Sequence, residues 1–478
     1  MEPGPQSTDP PALPTTAGHV WKVPFSPAAI ATYATLLSAE IALHAATVTP
    51  DYFVRIASGR LVVNEHIIPR HDPFTFTVRG RSWIDHEWLI GAVMYVTQKV
   101  SYELLVVLAA LAALLPFVIV HRLATKDRRD DWLLLALVAA AFAVAWRTFA
   151  IRPQLINPII FIAIVWLIDD RRRTHSSKIW LIAPLMLVWS NLQAGFLVGP
   201  AVVGAWTLIC VIERRDVGVS LAVLGASLIV PVVNPYGIDL YRYALTASVG
   251  PNVDRALVLE WRSPDFHDPL NAPALLGMVV LFYFGVRSAE PFRRVLAIGT
   301  VAASLISARF VPFFALSLVY VVAPQMPYLS FPRWGLRAFT AAITAGLLVS
   351  IAAVVGTATN DAPLGMQPTA GLAYLKQNAP NARLYADQSW ASYLTWTGWP
   401  TFFDTRTHQV FPESLIADYH KVEMTRGDWL AVLDRWQIDY VMMAPDSDLA
   451  EALDAAGWKR VFEGPIEVIW RRPAPAAD

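Results

Sequence analysis

The stretch Glu87-Trp88-Leu89-Ile90-Gly91-Ala92-Val93-Met94-Tyr95-Val96-Thr97-Gln98-Lys99-Val100 decides how this chain is threaded. It is apolar enough to enter a bilayer, yet at roughly fourteen residues it is short of the ~20 needed to cross about 30 Å of hydrocarbon, a length more typical of an interfacial segment. The loops around it settle its place. With 87–100 on the membrane surface, the basic loops at 122–129, 171–178, 214–215, 287–294 and 333–337 all fall on one side. With it spanning, both sides become basic, against the positive-inside rule. The segment therefore reads as a juxtamembrane helix, the N-terminus as cytoplasmic, and the chain beyond 357 as extracytoplasmic.

Apolar segments near spanning length flank it at 27–48, 102–121, 132–147, 154–168, 179–193, 195–212, 217–233, 270–286, 294–308, 310–324 and 336–356, about eleven spans in all. Composition agrees: 55% hydrophobic and 16% charged residues over 478 positions exclude an ordinary soluble globule. The chain reads as a mainly α multi-pass membrane protein. A formal net charge of +0 gives no reason to expect nucleic acid as a partner. The single cysteine, Cys210, excludes an internal disulfide framework and a Cys-based metal site. Residues 1–24, rich in Pro and Thr, lack a basic start and a small-residue cleavage site and read as a disordered cytoplasmic tail. Residues 25–358 form the transmembrane domain, with an external loop at 49–100 carrying juxtamembrane helices.

From 367 to 478 the charge density rises to that of a soluble protein. Strand-like runs at 383–386, 401–403 and 440–443 alternate with helical periods at 369–378, 427–436 and 447–456, and a hairpin at 461–470 turns around Gly464-Pro465. This predicts a small α/β extracytoplasmic domain that folds by itself. No Gly-rich phosphate loop opens any of its helices.

The same topology gathers the unusual polar motifs on the external face. Asp51, directly after the first span, suits a general base or a metal ligand, or else a helix N-cap. Asp85, His86 and Glu87 suit a divalent cation site or a proton-transfer pair, or capping of the helix that follows. Arg147, Arg152 and Arg309, at outer ends of spans, suit a phosphate, or snorkel to head groups. Asn191, Gln193 and Asn234 can hydrogen-bond sugar hydroxyls or close helix ends. Glu260-Trp261 pairs a carboxylate with an aromatic plate, as in carbohydrate sites, or anchors at the interface. Glu40 and His44 stand one helical turn apart within the first span, where an ionisable pair marks function by default or else a polar contact to a neighbouring helix.

The stretch Asp51, Gly59, Ile68-Pro69, Asp72-Pro73-Phe74, Trp83 and His86-Glu87-Trp88-Leu89 resembles a group of bacterial GT-C-like membrane proteins. So do WSNLQAGF (189–196), NPYG (234–237), LEWRSPDF (259–266) and 401–406, while the overall layout looks like the GT-C superfamily of membrane glycosyltransferases. The resemblance covers most of the chain. It departs at Gln193-Ala194-Gly195, where such proteins tend to carry His-Gly-Gly, so a role for that His does not carry over.

What the resemblance implies is a bacterial plasma-membrane enzyme that transfers a sugar from a polyprenyl-phosphate donor to an acceptor on the external face. Asp51 would match the superfamily's acidic base, with Glu87 and Asp85 as further catalytic candidates. Arg152, Arg309 and Arg147 would hold the donor phosphate. Trp83, His86, Asn191, Gln193, Asn234, Glu260 and Trp261 would line the sugar and acceptor sites. No cofactor is fixed by these residues; a divalent cation is compatible with them, and metal use differs among GT-C families. Two other classes stay open on the residues: a catalytically silent GT-C-like scaffold for envelope glycan assembly, and a lipid-linked substrate transporter. The transporter should show two matching repeats with broken helices, and neither is apparent.

Overall fold

The computed structural model describes residues 25–473, except 47, 129, 250–258, 330–340 and most of 342–365. The 1–24 tail, the basic 333–337 loop and most of the 336–356 segment lie outside the described residues. Thr49-Pro50 ends α1 (Pro27–Ala46) and opens α2 (Pro50–Asn64), because proline's fixed φ suits the first helical position. The 87–100 segment forms α3 (Trp88–Val100), a short helix that leaves Val93, Val96 and Val100 exposed.

Then follow α4 (Tyr102–Ala124), α5 (Trp132–Ala145), α6 (Ile156–Thr174), α7 (Ile182–Leu192), α8 (Val198–Glu213), α9 (Val217–Ile229), α10 (Asp239–Val249), α11 (Ala272–Arg287), α12 (Pro291–Ile306) and α13 (Val311–Val322). Among the described residues, six helical stretches are long and apolar enough to cross a membrane: Pro27–Ala45, Tyr102–Ala124, Pro153–Thr174, Ala194–Glu213, Pro269–Arg287 and Ala308–Gln325. Trp132–Thr148, Ser177–Leu192 and Val217–Val232 are apolar but shorter. α12, at the 294–308 segment, is in neither group; its first turn carries Arg293 and Arg294.

The basic loops meet at one end of this bundle. Arg173 Nη1 lies 2.7 Å from Asp127 Oδ1, and Arg293 pairs with the same carboxylate. Arg172 Nη2 lies 2.7 Å from Glu290 Oε1, and Arg171 Nη2 lies 2.6 Å from Asp216 Oδ1. α5 and α6 each run from this end to a turn that carries Arg147 or Arg152. Charges are thus sorted to the two ends, as a bilayer between them requires.

The C-terminal unit sits over that second end. α14 (Thr369–Asn378), α15 (Gln388–Trp396), α16 (Glu413–Glu423), α17 (Trp429–Arg435) and α18 (Asp448–Ala455) pack around a four-stranded sheet in the order β1 (Leu384–Ala386), β2 (Tyr440–Met443), β4 (Val468–Arg471), β3 (Lys459–Glu463). β1 and β2 are parallel; β4 pairs antiparallel with β2 and with β3. The expected strand at 401–403 does not join this sheet. Thr401 instead makes an isolated parallel bridge to Thr75 of the 49–100 loop, with Phe76 N donating to Thr401 O at 3.1 Å. Phe402 and Phe403 are buried, and with Trp83 and Phe74 they extend the unit's aromatic core into the loop. α15 packs on α2, where the Phe53 and Tyr393 rings stand edge-to-face at 5.2 Å.

Candidate active site

The second end of the bundle encloses a cavity of about 1360 Å³, lined from the membrane side by Asp51, Arg55, Glu87, Arg152, Glu260 and Arg309, and from the C-terminal unit by 388–389, 405 and 407–409. Its floor is set by the crossing of α2 and α3. A Cβ built on Gly59 would fall on the Gly91 carbonyl, so only glycine lets the helices approach this closely. That contact brings Glu87, just ahead of α3, against Arg55 of α2.

Arg55 is buried and serves three partners: Nε lies 2.8 Å from Glu87 Oε2, Nη1 3.1 Å from Asp85 Oδ1, and Nη2 donates to Gln409 Oε1 at 3.2 Å. Asp85 has no solvent access and also accepts from Ser58 Oγ, so both its oxygens are used. Burial alone would raise the Glu87 carboxyl, but Arg55 beside it, with His86 and Arg309, outweighs this and holds it at about 2. The guanidinium occupies the place between Asp85 and Glu87 where a divalent cation would have to sit. Among the described residues, no group of three or more His, Cys, Asp or Glu side chains is placed to hold a metal ion. The Asp85–Glu87 pair therefore fits a guanidinium and not a metal.

Arg152 and Arg309 approach from turns at the ends of α5 and α12, and both grip one carboxylate. Arg152 Nη1 pairs with Glu260 Oε1, and Arg309 Nε lies 3.4 Å from Glu260 Oε2. The loop bearing Glu260 is tied to the Arg309 turn by Ser307 Oγ donating to Glu260 O at 2.8 Å and Ala308 N donating to Arg262 O at 2.9 Å. Burial raises the Glu260 carboxyl, but the two guanidiniums prevail and leave it below the ordinary range. Arg309 also lies over the Trp261 ring, 3.7 Å from its centroid. Arg147, more exposed, pairs with Asp268 at 3.0 Å.

Asp51 differs from every other carboxylate on the cavity wall. Glu87, Glu260, Asp265 and Asp268 each face Arg55, Arg152 and Arg309, His267 or Arg147. The half-buried Asp51 carboxylate has no hydrogen bond or ion pair with any described residue. Burial raises its pKa above the ordinary carboxylate range, with Arg55 opposing and Glu87 adding to the rise. It is not the helix cap: Thr49 holds the N-cap position, and Asp51 lies inside the first turn.

His86, Gln193 and Trp261 also line the cavity. Four other sequence candidates do not. Asp85 lies beneath it, holding Arg55. Trp83 is fully buried under Arg406, its ring centroid 4.6 Å from the guanidinium carbon. Asn191 Nδ2 donates to Leu187 O at 2.9 Å and Val233 O at 3.0 Å, closing a helix end. Asn234 folds the NPYG turn, its Oδ1 accepting from Tyr236 N at 2.7 Å; the Tyr236 hydroxyl in turn accepts from Asp85 N at 3.1 Å. Arg55, Tyr243 and the 405–409 turn are site residues that sequence reasoning did not single out as such. Arg55 stood among the polar residues of the 49–100 segment, and its position one turn after Asp51 was the available signal. Glu40 and His44 pair within α1, 3.2 Å apart and buried, away from the cavity.

No family model matches the sequence, and no curated protein matches it. The structure does have counterparts. ArnT from Cupriavidus metallidurans bound to undecaprenyl phosphate superposes with a TM-score of 0.51 at 14% identity, covering 95% of this chain and 98% of that chain. Its apo form gives 0.52 at 15% identity, covering 93% and 96%. The fold is GT-C-like. The match extends over nearly the whole length, so the GT-C-like fold takes in both the helical bundle and the small C-terminal sheet.

Proposed function

We propose that this protein is an integral membrane glycosyltransferase that moves a sugar from a polyprenyl-phosphate-linked donor to an acceptor on the extracytoplasmic face of a bacterial plasma membrane. The observation that carries this reading is the meeting, in one cavity, of an uncommitted carboxylate with two arginines at the ends of spans. The undecaprenyl phosphate held by ArnT, which shares the fold, belongs to the donor's chemical class and supports it. The basic loops at the opposite end support this side: with them in the cytoplasm, the N-terminus is inside and the C-terminal unit outside.

The donor's phosphate sits at the membrane interface, where Arg152 and Arg309 exchange Glu260 for it. Asp51 takes the proton of the acceptor hydroxyl as that oxygen bonds to the sugar's anomeric carbon. The bond from that carbon to the phosphate oxygen breaks, and the electron pair leaves on polyprenyl phosphate, whose charge the guanidiniums stabilise. Glu87, held ionised by Arg55, keeps that guanidinium in place and is a positioning residue.

Membranes containing the overproduced chain, supplied with radiolabelled polyprenyl-phosphate sugars, should move label into a new product. The Asp51→Asn membranes should do so at roughly one-hundredth of the rate, the usual scale for a lost general base. Absence of transfer from every donor would leave the scaffold reading in its place.

A further inference from the structure

The wall that the C-terminal unit presents to the cavity differs in chemistry from the membrane side. Gln388 and Ser389, at the start of α15, and Thr405, Thr407, His408 and Gln409 line it, and none carries a fixed charge. Three of their polar groups, Gln388 Oε1, Ser389 Oγ and Gln409 Nε2, make no hydrogen bond to any described residue. Amides and hydroxyls both donate and accept, as sugar hydroxyls do. A charged substituent set against this wall would find no fixed counter-charge on the wall itself, and the Arg55 guanidinium beside Gln409 is already paired with Glu87 and Asp85, so the substituent would be costly to desolvate.

The wall stands next to the phosphate position. Arg309 covers Trp261, and the Trp261 ring meets the His408 ring edge-on at 5.9 Å; His408 in turn stacks with Tyr243 at 6.4 Å. Gln409 reaches Arg55. Trp261 and His408 thus form a continuous path from Arg309 to Gln409, along which a sugar bonded to a phosphate at Arg309 can lie. The turn that offers these residues is held under strain: Thr407, a β-branched residue, has φ +35°, and Arg406 before it is locked between Asp72 and Asp404.

We infer that Gln388, Ser389, Thr407, His408 and Gln409 form the donor's sugar subsite, and that this subsite takes an uncharged, hydroxyl-rich sugar in preference to a uronic acid or an amino sugar. The inference rests on the proposed glycosyltransferase reading and deepens it.

Thermal-shift titration of the purified full-length protein tests it, with four ligands: bare polyprenyl phosphate and the same lipid phosphate carrying a neutral hexose, a hexuronic acid or an amino hexose. The hexose-bearing lipid should bind more tightly than the bare one. The charged pair should gain nothing over it. In a Gln388→Ala, Ser389→Ala double variant, the hexose-dependent gain should fall roughly tenfold, the scale of two lost neutral hydrogen bonds, with bare lipid phosphate bound as before. Preference for either charged sugar, or equal weakening of bare and sugar-bearing lipids in the variant, overturns the subsite assignment and leaves the transferase reading standing. No shift with any of the four lipids overturns that reading and the subsite with it. Should the double variant not fold, the order of the four ligands on the unaltered protein decides.

Discussion

Arg406 of the C-terminal unit is locked to Asp72 of the loop between α2 and α3, Nη1 to Oδ1 at 2.7 Å, with neither side chain reaching solvent. Asp404 Oδ2 closes on the same guanidinium at 2.6 Å, and the Trp83 ring lies against it. A buried cation between two carboxylates and an aromatic ring ties residues far apart in sequence, and it fixes the turn that walls the cavity. Arg406→Met would strand two buried carboxylates, a change expected to cost about 3–5 kcal/mol. Thermal unfolding in detergent should show a large fall in the midpoint together with lost transfer; an unchanged midpoint would mean that the pair does not join the two parts.

Asp51 and Glu87 make opposite predictions for pH. Glu87, at about 2, stays ionised over the whole working range and contributes no limb to the rate profile. Asp51 is raised by burial, so a rate that needs its carboxylate should fall, as pH drops, already above the ~3.9 of an ordinary Asp. Asp51→Asn should remove that limb, and a limb that survives would assign the base elsewhere.

Stability has its own sign. A carboxyl raised in the folded state stabilises below its unfolded pKa, and this is lost as pH rises through the folded value. Ionised Asp51 therefore costs stability at neutral pH, and the Asn variant should melt higher there than the unaltered protein, with the difference vanishing in acid. Glu87 behaves inversely: its contribution is present above its unfolded pKa and disappears only as pH falls toward about 2.

Glu260 pairs with Arg152 and Arg309, the two arginines proposed to take the donor phosphate. Glu260→Gln frees Arg152 and Arg309 of their counter-charge, and polyprenyl phosphate should bind several-fold more tightly, on the order of one lost competing charge-assisted contact. Product release should slow accordingly. Weaker binding in this variant would make Glu260 part of the lipid site instead of its placeholder.

Reporter fusions check the threading. Fusions after Arg128 and Arg173 should read cytoplasmic, and fusions at the C-terminus extracytoplasmic; an external signal at Arg173 would invert the assignment of the cavity's face.

Residue types and their order were enough to indicate a mainly helical membrane protein, that four of the basic loops gather at one end, that a short helix forms within 87–100, and that a small α/β unit follows. These are properties of local composition: apolar length, the placement of Lys and Arg, and periods of two or 3.6 residues. They also brought Asp51, Arg152 and Arg309 to one end, because each is adjacent in sequence to a span end, and Glu260 with them, in the long loop between two spans. Tertiary structure alone decided the pairings. Arg55 reaches Glu87, Asp85 and Gln409, none of them on its own helix, Trp83 packs under Arg406 and not against a sugar, and Thr401 bridges to Thr75 and not to the sheet. A guanidinium or an indole carries no mark of which distant partner it will meet. That choice is made when helices cross closely enough, as at Gly59 and Gly91, to leave each buried charge only one place to be neutralised.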